Sequence, residues 1–268
     1  MTVTIISGAE DVDGANVLFR NIFAEVGYTV SSSDTGFSYI NLASDDTYSA
    51  WKPTSVPATI TSEFGALGAF LQINAIGFAA HDMGTRGTSF VLQTSPDGVT
   101  WTNAFSAQAV LSDDDILVLF PTTTASWWRL RFTGGVPTIG YFVVGQKLAF
   151  PCSPIDGHVA FHHSRKSEML VSQSVAGQRL GNRVSSRSME GSVDFGELER
   201  DFVEIDLAAF EAHYNSGAAF FYCGSPSATP KDFSFCWRPN GGDEMAIAWV
   251  EGDTLATVSF DVNGYVAA

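Results

Sequence analysis

The chain has 268 residues, 45% of them hydrophobic and 13% aromatic, which suits one large β domain or two ordinary ones and excludes a disordered chain. Against 14 basic residues stand 29 acidic ones; the formal charge is −15, split as −7 up to Phe150 and −8 beyond it, a balance that disfavours phosphate backbones and argues against nucleic acid as a main partner. No run approaches the roughly 18 apolar residues of a membrane span, and the segment after Met1 lacks the basic-then-apolar pattern of a secretory leader, so synthesis in a cytoplasm without membrane insertion is expected.

In chain order, short apolar segments at Val3–Ile6, Ala69–Ile76, Ser89–Thr94, Ile116–Phe120, Trp127–Phe132 and Tyr141–Phe150 read as strands. Between them lie Asp11-Val12-Asp13-Gly14, Ser95-Pro96-Asp97-Gly98, Ser112-Asp113-Asp114-Asp115 and Thr133-Gly134-Gly135, turn chemistry at the spacing of an all-β sandwich. Trp128-Arg129-Leu130-Arg131-Phe132 alternates with the period of a half-buried strand. Ala15–Val26 fits a short helix or an early strand equally. Phe150-Pro151-Cys152-Ser153-Pro154 marks a boundary, because two prolines block both helix continuation and central strand pairing. The expected division is therefore 1–150 and 151–268.

Beyond the boundary, Met189, Gly191, Val193 and Phe195 share one face of a strand. Asp201 to Asn215 reads as a helix, with Phe202, Ile205, Ala209 and Phe210 at helical spacing and a stop at Asn215-Ser216-Gly217. Ala218–Cys223 and Phe233–Trp237 read as strands, and Met245–Val250 and Leu255–Val262 as a last hairpin around Glu251-Gly252-Asp253. The class is all-β in the broad sense, mainly β with one helix.

Several segments of the first 150 residues carry a family likeness. Asp45-Asp46-Thr47-Tyr48-Ser49-Ala50-Trp51-Lys52-Pro53, Ser95-Pro96-Asp97-Gly98-Val99-Thr100-Trp101, Trp127-Trp128-Arg129-Leu130-Arg131-Phe132 and Gly140-Tyr141-Phe142-Val143-Val144-Gly145 resemble successive segments of discoidin (coagulation factor 5/8 type C) and related galactose-binding-like domains. The resemblance implies an eight-stranded jelly roll with Trp51 and Trp101 as core anchors and carbohydrate binding through loops at one end. Exposed aromatics with fixed polar groups suit a sugar site; the candidates are Phe37, Tyr39 and Tyr48 with His81, Asp82 and Arg86. The resemblance also implies a structural Ca²⁺ near the acidic segment, for which Asn41, Asp45 and Asp46 would offer oxygens, although the family's Thr-x-Trp is Ser49-Ala50-Trp51 here and no full ligand set is legible.

The second half, with its strand, acidic helix, aromatic strand Ala219-Phe220-Phe221-Tyr222 and Trp-ending strand Phe233–Trp237, resembles phage tail proteins in which a β-sandwich with one flanking helix assembles into rings. It implies a second β-sandwich of phage-tail type, a structural component of a tail tip or baseplate in the virion, with other tail proteins and copies of itself as partners and the jelly roll on the outside. The alternative is a carbohydrate-binding adhesion module for a host-surface glycan. Arg165, Lys166, Arg179, Arg183 and Arg187, offset only by Glu168, make a basic stretch suited to pairing head to tail with a neighbour's acidic surface around Glu197–Asp206.

Catalytic signatures are missing from the sequence. No Gly-x-Ser-x-Gly elbow and no phosphate-binding glycine loop before a helix occurs, and a non-enzyme is expected. His158, His162 and His163 have only Cys152 nearby and fall short of a zinc ligand set, so no metal is assigned to them. Cys223 and Cys236 end neighbouring strands and are expected reduced and buried, with no disulfide framework for three cysteines.

Overall fold

The computed structural model describes residues 1–64, 71–155, 158–250, 252 and 254–266, with Ser186 by its backbone alone. Before residue 150 the described strands are β1 (Thr2–Ile5), β2 (Asn16–Leu18), β3 (Thr29–Val30), β4 (Ala58–Glu63), β5 (Gln72–His81), β6 (Thr88–Ser95), β7 (Thr102–Asn103), β8 (Gln108–Ala109), β9 (Ile116–Thr124), β10 (Trp127–Gly134), β11 (Ile139–Gly145) and β12 (Leu148–Ala149). After it come β13 (Arg165–Gln173), β14 (Arg179–Glu199), β15 (Phe220–Ser225), β16 (Thr229–Trp237), β17 (Ala246–Val250) and β18 (Leu255–Gly264). Helical pieces are short: α1 (Ile22–Val26), α2 (Met83–Arg86), wide π-helical turns over Phe202–Leu207, and α3 (Ala208–Asn215) continuing them.

The strands form three sheets. The first has the order β3-β4-β10-β6-β7 with β8 beside β6; the middle one is β1-β9-β5-β11; the third is β12-β2-β15-β16-β18-β14-β13 with β17 beside β18. The protein is thus mainly β, and its first two sheets make the sandwich expected of the first half. In β10 the alternation holds: Trp128, Leu130 and Phe132 are buried, while Arg129 and Arg131 lie on the other face. These three pack against Ile76, Phe78, Val118 and Phe142 of the middle sheet.

The middle sheet is buried on its second face as well. Ala75, Ala79, Leu117, Leu119, Tyr141 and Val143 meet Leu18, Phe221, Cys223, Phe233 and Phe235 of the third sheet. Every residue of β11 is buried, and so are Ile116 to Phe120 of β9. A sheet covered on both faces selects continuous apolar runs, which is why these strands show no alternation. Opposite Gly77 the approach is closest: a Cβ there would stand 2.6 Å from the Phe221 ring. On the far face of the third sheet, Val203, Leu207, Phe210 and Tyr214 close a further core with Phe220, Tyr222 and Phe260.

Strands on both sides of Pro151 pair in one sheet. β2 joins β15 through Phe221↔Leu18 and Tyr222↔Val17, and β12 joins β2. The Ala15–Val26 ambiguity resolves into both forms, β2 followed by α1. Lys147 fixes the entry to β2: its ammonium donates to the carbonyls of Glu10 (2.7 Å) and Asp11 (2.6 Å) and to Asn16 Oδ1, and burial pushes its pKa down to about 8.

Other expectations shift. Trp51 is a core anchor, fully buried against Phe132. Trp101 is only half-buried; it lies on the outer face of the first sheet, with the Arg129 guanidinium 4.1 Å from its ring centroid, because β10 points its arginines outward there. Cys223 and Cys236, which end neighbouring strands, are free and buried but belong to cores on opposite faces of the third sheet. Of the Ala69–Ile76 segment, residues 69 and 70 lie outside the described residues, as do residues 251 and 253 of the last hairpin's turn. The triple acid Asp113-Asp114-Asp115 divides its work. Asp113 accepts from Thr85 N (2.9 Å), Asp114 pairs with the Met1 amino group (2.9 Å), and Asp115 is buried between the middle and third sheets, accepting from Phe235 N (3.1 Å).

Two outcomes follow from this layering. Gly77→Val forces a side chain into the Phe221 ring and should destabilise the chain by about 1–3 kcal/mol, the usual cost of overpacking, read as a lower denaturant midpoint. Burial pushes the Asp115 carboxyl up to about 7, well above the usual carboxylate range. The folded state therefore holds this proton more tightly than the unfolded one, so the contribution is greatest below the unfolded pKa and falls as pH rises to about 7. Unfolding curves of Asp115→Asn and the parent should accordingly diverge in favour of the Asn variant between pH 4 and pH 7, with no further divergence above about pH 8.

Candidate functional site

The connection from β3 to β4, residues 31–57, wraps the edge strand β11 of the middle sheet. Trp51 anchors it by pairing with Ile139 (2.8 and 2.9 Å) and by donating its indole N–H to Ser32 O (3.0 Å). Asn41 Nδ2 donates to Ala50 O (2.7 Å), drawing the two limbs of the loop together. Asp46 then shapes its tip. Its carboxylate accepts from Tyr48 N (2.9 Å), Ser49 N (2.5 Å) and the Ser44 hydroxyl (2.7 Å). These bonds, that of Ser49 N foremost, hold the Asp46 pKa below the usual carboxylate value.

The loop holds aromatic side chains out of the core. Tyr48 is 97% exposed, and Tyr39, Ile40 and Phe37 are also exposed. Tyr39 is steadied by Tyr28, whose hydroxyl donates to the Tyr39 carbonyl (3.0 Å) and whose ring meets that of Tyr39 edge-on at 6.2 Å. Lys52 pairs with Asp34 (3.1 Å) and stands 5.5 Å from the Phe37 ring centroid. Single exposed apolar residues are ordinary; several large ones on one loop are the informative departure.

Beside this loop runs a cleft of about 530 Å³ between the edge of the two-sheet sandwich and α3. Its lining includes Ser44 and Asp45 from the Asp46 turn, Arg20, Glu25 and Tyr141, and His213 of α3. Arg20 holds Glu25 with two parallel bonds, Nε to Oε1 (2.7 Å) and Nη2 to Oε2 (2.7 Å), which raises the arginine pKa. Asp45 accepts from Ala219 N (3.4 Å), and His213 Nε2 lies 2.9 Å from the Ala219 carbonyl. Burial lowers the His213 pKa, so the ring is neutral at pH 7 and Nε2–H is the donor to that carbonyl. Arg20, Glu25 and His213 were not legible as site residues: His213 lies nearly 200 positions from the other two and meets them only through the layering.

The sequence-derived candidates divide. Tyr48 stands fully in solvent. His81 is buried, not presented at the surface; Met83 N approaches its Nδ1 at 3.4 Å, and burial brings its pKa down to about 4. Asp82 joins the β5–β6 and β10–β11 loops, accepting from Thr138 N (2.6 Å) and from Arg86 Nε (3.0 Å). His81 and Asp82 thus act as supports beneath the loop end, and Arg86 is exposed above them. Of the Ca²⁺ candidates, Asn41 and Asp46 direct their polar atoms to the loop backbone, and Asp45 turns toward Ala219. Among the described residues no group of three or more His, Cys, Asp or Glu stands at metal-holding spacing. His158 is engaged with Asp232 (2.8 Å), chiefly through which its pKa is raised, and Asp232 also accepts from Phe161 N (2.8 Å), locking residues 158–161 onto the third sheet.

Replacing Asp46 by Ala removes three bonds at the loop tip at once. Hydrogen exchange should then quicken at the Tyr48 and Ser49 amides and stay unchanged at the Trp51 amide, which the β11 pairing protects.

No family model and no curated protein matches the chain. Solved structures do resemble it over just under half its length. One is CpGH89CBM32-5 from Clostridium perfringens, in complex with GalNAc-beta-1,3-galactose: 17% identity, 47% of this chain, 100% of that one, TM-score 0.39. Another is chitosan-binding module 1 from a chitosanase/glucanase of Paenibacillus sp. IK-5, at 19% identity over 47% of this chain and 99% of that one, TM-score 0.37. A third is a pectin-binding carbohydrate-binding module, at 18% identity over 48% and 92%, TM-score 0.38. The likeness falls on the first half; the phage tail and baseplate expectation finds no support in it.

Proposed function

We propose that this chain is a non-catalytic carbohydrate-binding protein whose site is the cleft beside β11, with Tyr48 as an exposed stacking platform at its rim. The observation behind the reading is the joint construction of cleft and platform. One turn, organised by Asp46, sends Ser44 and Asp45 into the wall and Tyr48 into solvent. A sugar ring offers an apolar C–H face and a rim of hydroxyls. The Tyr48 ring suits the face; Arg20, Glu25 and Asp45 suit the hydroxyls, as both donors and acceptors in a fixed setting. The loop is held in place before any ligand arrives, which reduces the ordering cost of binding.

Catalysis is not part of this reading, since binding needs only the fixed polar groups and the aromatic face. A structural role in a phage tail or baseplate is the second reading; the one feature that favours it is the exposed β13–β14 hairpin, which has the character of an assembling surface.

A panel of immobilised glycans, including β-galactosides, chitosan and pectin fragments, tests the primary reading. Saturable binding is expected to at least one member, weakened about tenfold by Tyr48→Ala (~1.4 kcal/mol) and by Arg20→Ala, and retained by Tyr48→Phe. A flat response across the panel, or full affinity in both alanine variants, overturns it.

A further inference from the structure

β13 and the first half of β14 leave the body of the protein. β14 is 21 residues long, but its pairing with β18 starts at Met189; from Arg179 to Ser188 its described pairing is with β13. Every residue of β13 is exposed. The arm turns at Ser174–Gln178, where Ser174 N donates to Gln178 O (2.9 Å) and Gly177 takes a φ of 78°. A two-stranded ribbon is marginally stable alone in water, and its edges invite another chain. This one also exposes apolar side chains: Met169 is 57% exposed, Leu170 64%, Val171 52% and Leu180 67%.

Its charge is opposite to that of the rest of the molecule. Residues 169–187 hold Arg179, Arg183 and Arg187 and no acid, which leaves the remaining chain at a formal −18 against the overall −15. Lys166 at the base is engaged with Glu190, and Arg165 adds to the Met1 amino group in lowering the Asp114 pKa. Among the described residues, no ion pair within the chain uses Arg179, Arg183 or Arg187.

The complementary surface sits at the other end of the same strand. Glu197, Glu199, Asp201 and Asp206 are exposed in one segment with Ile205, which is 72% exposed and supplies an apolar element, while Arg200 there is taken up by Glu204 (3.1 Å). From Arg179 to Glu199 the strand spans up to roughly 65 Å at about 3.3 Å per residue. One copy's arm therefore points away from its own acidic patch. We infer that the β13–β14 arm docks on the Glu197–Asp206 patch of a second copy of this chain, its arginines facing the carboxylates and its exposed aliphatics covering Ile205. The two surfaces differ, so each arm-to-patch contact is head to tail; it propagates into a ring or a filament, or closes a pair when two copies exchange arms reciprocally.

Analytical ultracentrifugation of the full chain at low and high salt tests this. The parent is expected to self-associate at micromolar concentration, more weakly at high salt. Arg179→Glu/Arg183→Glu/Arg187→Glu and Glu197→Lys/Glu199→Lys/Asp201→Lys alter exposed positions only, and each alone should weaken association at least tenfold. Mixing the two variants should restore association, because the reversed arm then meets the reversed patch. A parent that stays monomeric up to about 100 μM, an arm variant that assembles like the parent, or a mixture that fails to recover would each overturn the inference.

Discussion

The rest of the structure depends on the middle sheet being covered on both faces. A strand so placed can tolerate few polar or bulky groups, and β5 answers the demand residue by residue. Ile76 and Phe78 fill the sandwich on one face, while Ala75, Gly77 and Ala79 keep the other face low. That low face admits Phe221, and burying such a ring contributes about 1.5–3 kcal/mol toward holding the third sheet in place. The polar groups caught in this interior are few and mostly engaged: Asp115 binds Phe235 N, and Lys147 gathers the oxygens ahead of β2.

Stacking fixes where function can reside. Loops carried by a rigid scaffold can hold side chains out in water without loosening the core. The β3–β4 loop does so with Tyr48, and its internal bonds to Asp46 and Asn41 replace the pairing that a strand would provide. Because the third sheet lies over the two-sheet sandwich, α3 comes alongside that loop and closes a cleft whose walls no single half of the chain contains. The proposed recognition by the cleft and the proposed association by the arm use different elements, so neither depends on the other.

Much of this was legible locally. The β10 alternation follows from periodicity, which acts over a few residues. The helix near 201–215 forms too, but its first part is π-helical. It buries Val203, Leu207, Phe210 and Tyr214 while leaving Ile205 and Ala209 exposed, because the wider turns rotate the face that helical spacing predicts. The Ser95–Gly98 turn also forms as its residues dictate, with Asp97 accepting from Val99 N and Thr100 N, bonds that bring its pKa down to about 2. Trp101 was misplaced because a turn motif specifies the bend but not which face the next residue takes. His81 was misplaced because a polar residue at a strand end reads the same whether a loop covers it or not.

By itself, then, the sequence determined the class, the strand-and-turn rhythm of the first half, the exposed charge of the 165–187 stretch and the aromatic loop. Those features arise from local propensity and from composition. Only the tertiary structure decided that β2 and β12 join the third sheet, that Cys223 and Cys236 face apart, that Arg20, Asp45 and His213 share a cleft, and that the basic stretch is a projecting arm. Each depends on which surface covers another, and the continuous apolar runs of a doubly buried sheet conceal that choice, because they contain no alternation to say which side chain faces which layer.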